Sequence, residues 1–390
     1  MTIHAQAAVL RPPATASLRF GSVAQVLPSI AAEERAYRVA IVSSPSQTNS
    51  VLLGSAAAAL GATLAGSFPI VRAHSPYDDL VRLVSLLKQA DADLIVAIGG
   101  GSVIDACKVA QIGLRHGLDD AEAFQAFRTA PPGRPDPAAG IRVVAVPTTL
   151  SSAEFTPFAG ITDSATGRKD AYDHPLMVPK HVVFDAEALL ATPVSIVAAS
   201  GSRAIDHCVE TLCSTAAEAY HGALALAGLK LLWRGLPILA AGKASADDAR
   251  DLLRASWMAI SGPAAGIPVG ASHAIGRVVG AVSGVQHGHT SAILLQRVLE
   301  WNAELDACRE RQEWICRELD LPNADLGGAV RHLFDACAQP SRLSEAGVAR
   351  ADLPKIAAFS VTMLRHPSVA GNARPIATEA EVMEILERAW

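Results

Sequence analysis

The chain has 390 residues, half of them hydrophobic and 18% charged, which is enough for two domains with sizeable cores. Its formal net charge is -5 with acidic and basic residues interspersed, which argues against nucleic acid or another polyanion as partner. Six cysteines (Cys107, Cys208, Cys213, Cys308, Cys316 and Cys337) form no C-x-x-C pair, so reduced thiols and a cytoplasmic location are expected rather than a disulfide framework.

The opening MTIHAQAAVLRPPATASLRF has no basic stretch followed by an uninterrupted apolar run, so no secretory signal is read there. YRVAIVSS, a short β-branched run ended by Ser and Pro, predicts a strand of a parallel sheet. NSVLLGSAAAALGA has helical composition. SPYDDLVRLVSLLKQADA spaces its apolar residues helically, with Ser75 as the expected N-cap. DLIVAIGGG predicts a second buried strand, SVIDACKVAQIGLRHG a helix closed by Gly117, and IRVVAVPTT a third strand. TAPPGRPDPAAG reads as a surface loop. Strands alternating with helices imply βαβ units in an open, mostly parallel sheet.

After KHVVFDAEALLATP the pattern changes. VSIVAASGSRAIDHCVETLCS, ALALAGLKLLWRGLPILAAG, DARDLLRASWMAISG, TSAILLQRVLEWNAEL and EVMEILERAW are all helical, without a long strand run. The expected organisation is an α/β dinucleotide-binding domain over 1–193 and an all-helical substrate domain over 194–390. GALALAGLKLLWRGLPILAAG is the most membrane-like stretch, but Lys230, Arg234 and Pro237 interrupt it. It predicts a buried or amphipathic helix, and no membrane partner is expected.

Gly99, Gly100 and Gly101 stand between a strand and a helix. There they let a ligand approach the backbone, and the first helical amides can face a phosphate. The plainer reading is a tight strand-to-helix turn, since the pattern is neither G-x-G-x-x-G nor a P-loop. The next strand ends in VPTTLSSAEF, with hydroxyls at Thr148, Thr149, Ser151 and Ser152. Ligands of open α/β sheets sit beyond the carboxyl ends of strands, so the two loops together favour a nucleotide site. Further on, HAIGRVVGAVSGVQHG carries His273 and His287, which look like metal ligands, yet Arg277 lies one helical turn after the first.

GGGSVIDACK, VPTTLSSAEFTPFAGITD, GSRAIDHCVE and HAIGRVVGAVSGVQHG occur in the same order as the motifs of the iron-containing (group III) alcohol dehydrogenases, which the chain resembles from about Arg19 to its end. The resemblance implies a dehydroquinate synthase-like fold: a Rossmann-type nucleotide domain, a helical domain and a homodimer. It implies NADH or NADPH held by Gly99, Gly100, Gly101 and Ser102, with Asp105, Thr148 and Thr149 along it. After the first strand many NAD-preferring relatives carry an acidic residue, where this chain has Ser44. A serine does not repel a 2′-phosphate, so NADPH is permitted.

The resemblance also implies a metal held by an aspartate and three histidines. His207, His273 and His287 match the histidines, but the aspartate position is Arg203 and a further active-site histidine is Arg277. Arginine offers no lone pair, so Zn or Fe is expected to be absent. Asp206, next to His207, points about 100° away from it on a helix. Two arginines and three imidazoles suit an anion, and guanidinium groups bind carboxylates through paired hydrogen bonds. The maleylacetate reductase branch is similar in this respect, and SSAEFTPFAGITD and VSSPSQ resemble its segments. The expected function is reduction of a small carboxylated carbonyl or enone, with Arg203, Arg277, His207, His273 and His287 acting on the substrate. Four alternatives stand beside it: a metal-dependent alcohol dehydrogenase with altered ligands, a phosphate-eliminating cyclase of the dehydroquinate synthase kind, a nucleotide-binding pseudoenzyme, and arginines that merely pair with Asp206, Glu210 or Glu154.

Overall fold

The computed structural model describes residues 16–128 and 140–390, and the chain divides into two compact units at Pro193. The predicted loop TAPPGRPDPAAG lies outside the described residues except for Gly140.

The first unit runs β1 (Ser17–Phe20), α1 (Val23–Glu33), β2 (Val39–Ser43), α2 (Val51–Leu60), β3 (Leu64–Pro69), α3 (Tyr77–Gln89), β4 (Leu94–Gly99) and α4 (Gly101–His116). It continues with α5 (Ala121–Arg128), β5 (Arg142–Pro147), β6 (Phe158–Thr162), β7 (Lys169–Asp173), β8 (His181–Phe184) and α6 (Ala186–Leu190). Six strands form a parallel sheet in the order β1-β8-β5-β4-β2-β3, while β6 and β7 form a separate antiparallel pair.

Side-chain alternation explains why β2, β4 and β5 read as continuous apolar runs. Ala40, Val42, Ile95, Ala97, Val143 and Ala145 join a core with α3 and α4 on one face. Val39, Ile41, Val96, Ile98, Val144 and Val146 join a core with α1 and α2 on the other. A sheet covered on both faces has no polar side to display. The edge strands β1 and β3 are only partly buried and show no such pattern in the sequence.

Gly117 ends α4 in the left-handed conformation, φ 67°, as its position predicts. Ser75 departs from its expected role. Pro76 is the N-cap of α3, and Ser75, itself left-handed at φ 51°, donates its hydroxyl to the Ser102 carbonyl at 2.7 Å. The tie to the glycine loop displaces the cap.

The second unit comprises α7 (Val194–Cys213), α8 (Ala219–Ala240), α9 (Ala246–Ala265), α10 (Ala271–Ser283), α11 (His287–Asn302), α12 (Asp306–Glu318), α13 (Leu326–Ala336), α14 (Leu353–Leu364) and α15 (Glu379–Ala389). By length and composition α8 could cross a membrane. Here it packs between α7 and α9, with Gly228 against Ala255 and Gly235 against Leu252. Helices α10, α11, α14 and α15 enclose a core of Ile275, Leu294, Trp301, Ile356 and Ile385. At the start of α11, a Cβ on Gly288 would come within 2.2 Å of the Ala199 carbonyl, so α11 rests directly on the α7 backbone.

Candidate active site

In the first unit, β2 and β4 are neighbours although β3 lies between them in sequence. Chain connections therefore diverge at this point, where ligands of such sheets settle. The carboxyl ends of β2, β4 and β5 lead there into Ser44, Gly99–Gly101 and Thr148–Thr149. A Cβ on Gly99 would lie 2.7 Å from Val103, one on Gly100 3.1 Å from Thr149, and one on Gly101 3.1 Å from Ser151 Oγ. The glycine loop is thus packed against the hydroxyl-bearing turn at Gly100 and Gly101, where a Cβ would make Thr149 and Ser151 give way, and against Val103 of α4 at Gly99. Thr149 Oγ1 and Ser151 Oγ are buried without a hydrogen-bond partner. Such groups are suited to a ligand that supplies oxygen atoms.

The remaining cofactor candidates are more occupied. Ser44 Oγ lies 2.8 Å from Ser46 Oγ. Ser102 Oγ accepts the His74 amide at 2.9 Å. Asp105 accepts the Gly160 amide at 3.1 Å and lies 3.5 Å from Lys108 Nζ.

Glu154 is fully buried beside Lys108, and neither of its carboxyl oxygens has a partner. Burial pushes its carboxyl up to about 7, against the pull of its own backbone amide and of Lys108. Because this raises the folded value above the ordinary one of 4.5, the folded state holds the proton more tightly than the unfolded chain. The stabilisation is complete below 4.5 and is lost as pH rises toward about 7. Glu154→Gln is expected to remove about 3 kcal/mol of that pH dependence. Urea midpoints of both proteins at pH 5 and pH 8 check this, and parallel losses in the two would refute it.

In the second unit, α7 sets Arg203, Asp206, His207 and Glu210 at spacings of three and four, so that they share one side of the helix. The start of α10 meets them. Glu210 Oε2 accepts the Gly270 amide at 2.7 Å, and Oε1 accepts the Ser272 amide at 2.8 Å. Gly270 has no side chain to interfere, since a Cβ there would lie 2.8 Å from Glu210 Oε1. Asp206 Oδ2 accepts the Ser272 hydroxyl at 3.0 Å. His273 Nδ1 lies 2.6 Å from Glu210 Oε2 and 3.2 Å from Asp206 Oδ2. The rings of His207 and His273 stack with centroids 4.7 Å apart.

Among the described residues, Asp206, Glu210 and His273 have ligand atoms within 4.8 Å of one another, and neither His207 nor His287 joins that group. His287 is the first residue of α11 and is exposed. Arg277 donates to Ser368 Oγ at 3.3 Å.

Among the described residues, neither Arg203 nor Arg277 makes an ion pair, so the expected alternative of pairing with Asp206 or Glu210, which share their unit, is not realised. Arg203 Nη1, His207 Nδ1 and His273 Nε2 are buried without partners. Burial pushes the Arg203 guanidinium down to about 10, with Asp206 working against this and Arg277 adding to it. It remains a cation at neutral pH. Burial, reinforced by His273, Arg203, Arg277 and His287, pushes His207 well below the usual imidazole range, so its ring is neutral. Burial works to raise the Asp206 carboxyl, but His273 and Arg203 hold it below the usual range. The carboxylates attend to His273, and a guanidinium is left without an anion. The four-residue interval between Asp206 and Glu210 was the available sequence signal for this clamp.

Residues 15–186 match the family model described as iron-containing alcohol dehydrogenase, and residues 197–390 match the C-terminal model of the Fe-containing alcohol dehydrogenase family. Dehydrogenase ALT3 of Alternaria alternata is 34% identical over 68% of this chain and 72% of its own length. Maleylacetate reductase 1 of Cupriavidus pinatubonensis is 26% identical over 93% of this chain and 91% of its own. The crystal structure of sulfoacetaldehyde reductase from Bifidobacterium kashiwanohense in complex with NAD+ shares the fold. It superposes with a TM-score of 0.85 at 18% identity, covering 97% of this chain and 98% of that one.

Proposed function

Because the chain belongs to the iron-containing alcohol dehydrogenase family and is an oxidoreductase, we propose that it moves a hydride from NADH or NADPH to a small carbonyl or enone compound bearing a carboxylate, without a metal ion. The observation that carries this reading is the half-buried Arg203 guanidinium, whose Nη1 is buried without a partner and which has no counter-ion among the described residues. A buried charge without a partner is costly, and a substrate carboxylate would supply one, with Arg277 as a second cation. His207, His273 and His287 then provide the proton or hydrogen bond to the developing alkoxide or enolate.

The metal named by the family does not suit these residues. Where the resemblance calls for a carboxylate one turn before His207, the chain places a cation. A unit positive charge one side chain from a divalent ion repels it by several kcal/mol at an effective dielectric of about 20. Both Glu210 oxygens and Asp206 Oδ2 are taken up by amides, a hydroxyl and His273 Nδ1, and Asp206 Oδ1 is buried without a partner. For the cofactor, support comes from the close-packed glycine loop and the unpartnered Thr149 and Ser151 hydroxyls. The relative named maleylacetate reductase supports a carboxylated substrate.

Titration with NADH and NADPH, followed by turnover on matched carbonyl and enone compounds with and without a carboxylate, tests the reading. Carboxylated substrates are expected to show kcat/KM at least about a hundredfold higher. Equal rates would reject the anion pocket. Nucleotide binding with no turnover on any compound would favour the pseudoenzyme.

A further inference from the structure

We infer that Glu210 is a positioning residue, which fixes the ring and the tautomer of His273 so that Nε2 is the nitrogen presented to substrate. The inference rests on the reading above that this cluster is a substrate site.

Glu210 is itself held firmly, because the Gly270 and Ser272 amides at the start of α10 grip both of its oxygens. Amides at a helix start are fixed donors that favour a carboxylate. This clamped oxygen then meets His273 Nδ1 at 2.6 Å, with Asp206 Oδ2 at 3.2 Å on the same nitrogen. A lone pair facing two carboxylates would be repelled, so Nδ1 carries a proton and donates it toward Glu210. Nε2 is therefore the nitrogen left to work, and it is buried with no partner in the protein. The stacked His207 ring lies against one face of the imidazole.

The proton step balances on this arrangement. A bound dihydronicotinamide would supply the hydride to the carbonyl carbon and be oxidised as the carbonyl is reduced, the C=O π pair moving to oxygen. The proton reaches the carbonyl oxygen through Nε2, which takes it from solvent and passes it on, so that His273 begins and ends the step as the neutral Nδ1–H tautomer hydrogen-bonded to Glu210.

Two measurements test the inference. In steady-state kinetics, Glu210→Ala is expected to lower kcat about a thousandfold while KM for the carboxylated substrate stays within about threefold. Glu210→Gln, whose amide oxygen can still accept from Nδ1–H, is expected to recover part of kcat. In a His273→Gln background the Glu210→Gln change should cost nothing further, because Glu210 acts through that ring. A loss confined to KM, or losses that simply multiply in the double variant, would overturn the inference. The second measurement needs neither substrate nor turnover: long-range ¹⁵N NMR of the wild-type imidazoles, with His273 assigned by its absence in His273→Gln. A neutral Nδ1–H tautomer supports the inference, and an Nε2–H tautomer ends it. If the tautomer is right but no carboxylated substrate turns over, the proposed function fails and the positioning role stands.

Discussion

Arg203→Met is expected to cut kcat/KM for the carboxylated substrate by about two to three orders of magnitude while leaving the protein at least as stable as the wild type. The two halves of that expectation come from one feature. Arg203 is a half-buried cation with one buried, unpartnered nitrogen and no ion pair among the described residues. In the ligand-free protein it costs desolvation and recovers only long-range attraction to Asp206 and Glu210. An unbranched apolar side chain of similar length removes that cost, so the melting temperature should hold or rise. With substrate bound the balance reverses, because a desolvated carboxylate without its guanidinium loses about 3–4 kcal/mol. Arg203→Lys should recover only part of the activity, since an ammonium keeps the charge but not the paired donors. Affinity for NAD(P)H, measured by fluorescence quenching, should not change. A variant that unfolds early yet turns over normally would show Arg203 to be structural.

Chelation is the second large test. Extensive treatment with a strong chelator should leave wild-type turnover unchanged, and elemental analysis should find no stoichiometric Zn or Fe. The double variant Arg203→Asp/Arg277→His should bind Zn2+ at least about a hundredfold more tightly than the wild type. That variant replaces two positive charges with a carboxylate one turn before His207 and an imidazole one turn after His273. It restores the donor set that the family resemblance implies and removes the repulsion that opposes it. Calorimetric titration of both proteins with Zn2+ reads the difference. A wild-type protein that carries a full equivalent of metal and dies on its removal would end the metal-free reading.

Much of the first unit was readable from residues alone. β2, β4 and β5 are buried on both faces, so their apolar runs are uninterrupted and their order with the helices implies a parallel sheet. Gly117 closes α4 as its position foretold. Ser75 misled because capping is a local preference, whereas its hydroxyl is taken by Ser102, distant in the chain but adjacent in space. The short strands β1, β3 and β8 were not anticipated, since four to six residues at a sheet edge, or in the four-residue run HVVF, carry little pattern.

For the site, residue identity alone determined that two positive charges stand where the family resemblance implies a carboxylate and an imidazole. Chemistry then followed without coordinates, because a guanidinium cannot ligate and attracts anions at any depth. Tertiary structure decided which groups the carboxylates would serve. Asp206 and Glu210 share a helix with Arg203, and local spacing offered the arginine as their natural partner. Packing instead brought the start of α10, sixty or more residues further along the chain, against them. Backbone amides hold Glu210, the Ser272 hydroxyl holds Asp206 Oδ2, and His273 faces both carboxylates, while Asp206 Oδ1 and the Arg203 guanidinium form no ion pair. Periodicity along a helix reports which side a residue occupies, but the identity of the opposing group depends on a contact between distant segments, and only the folded chain specifies it.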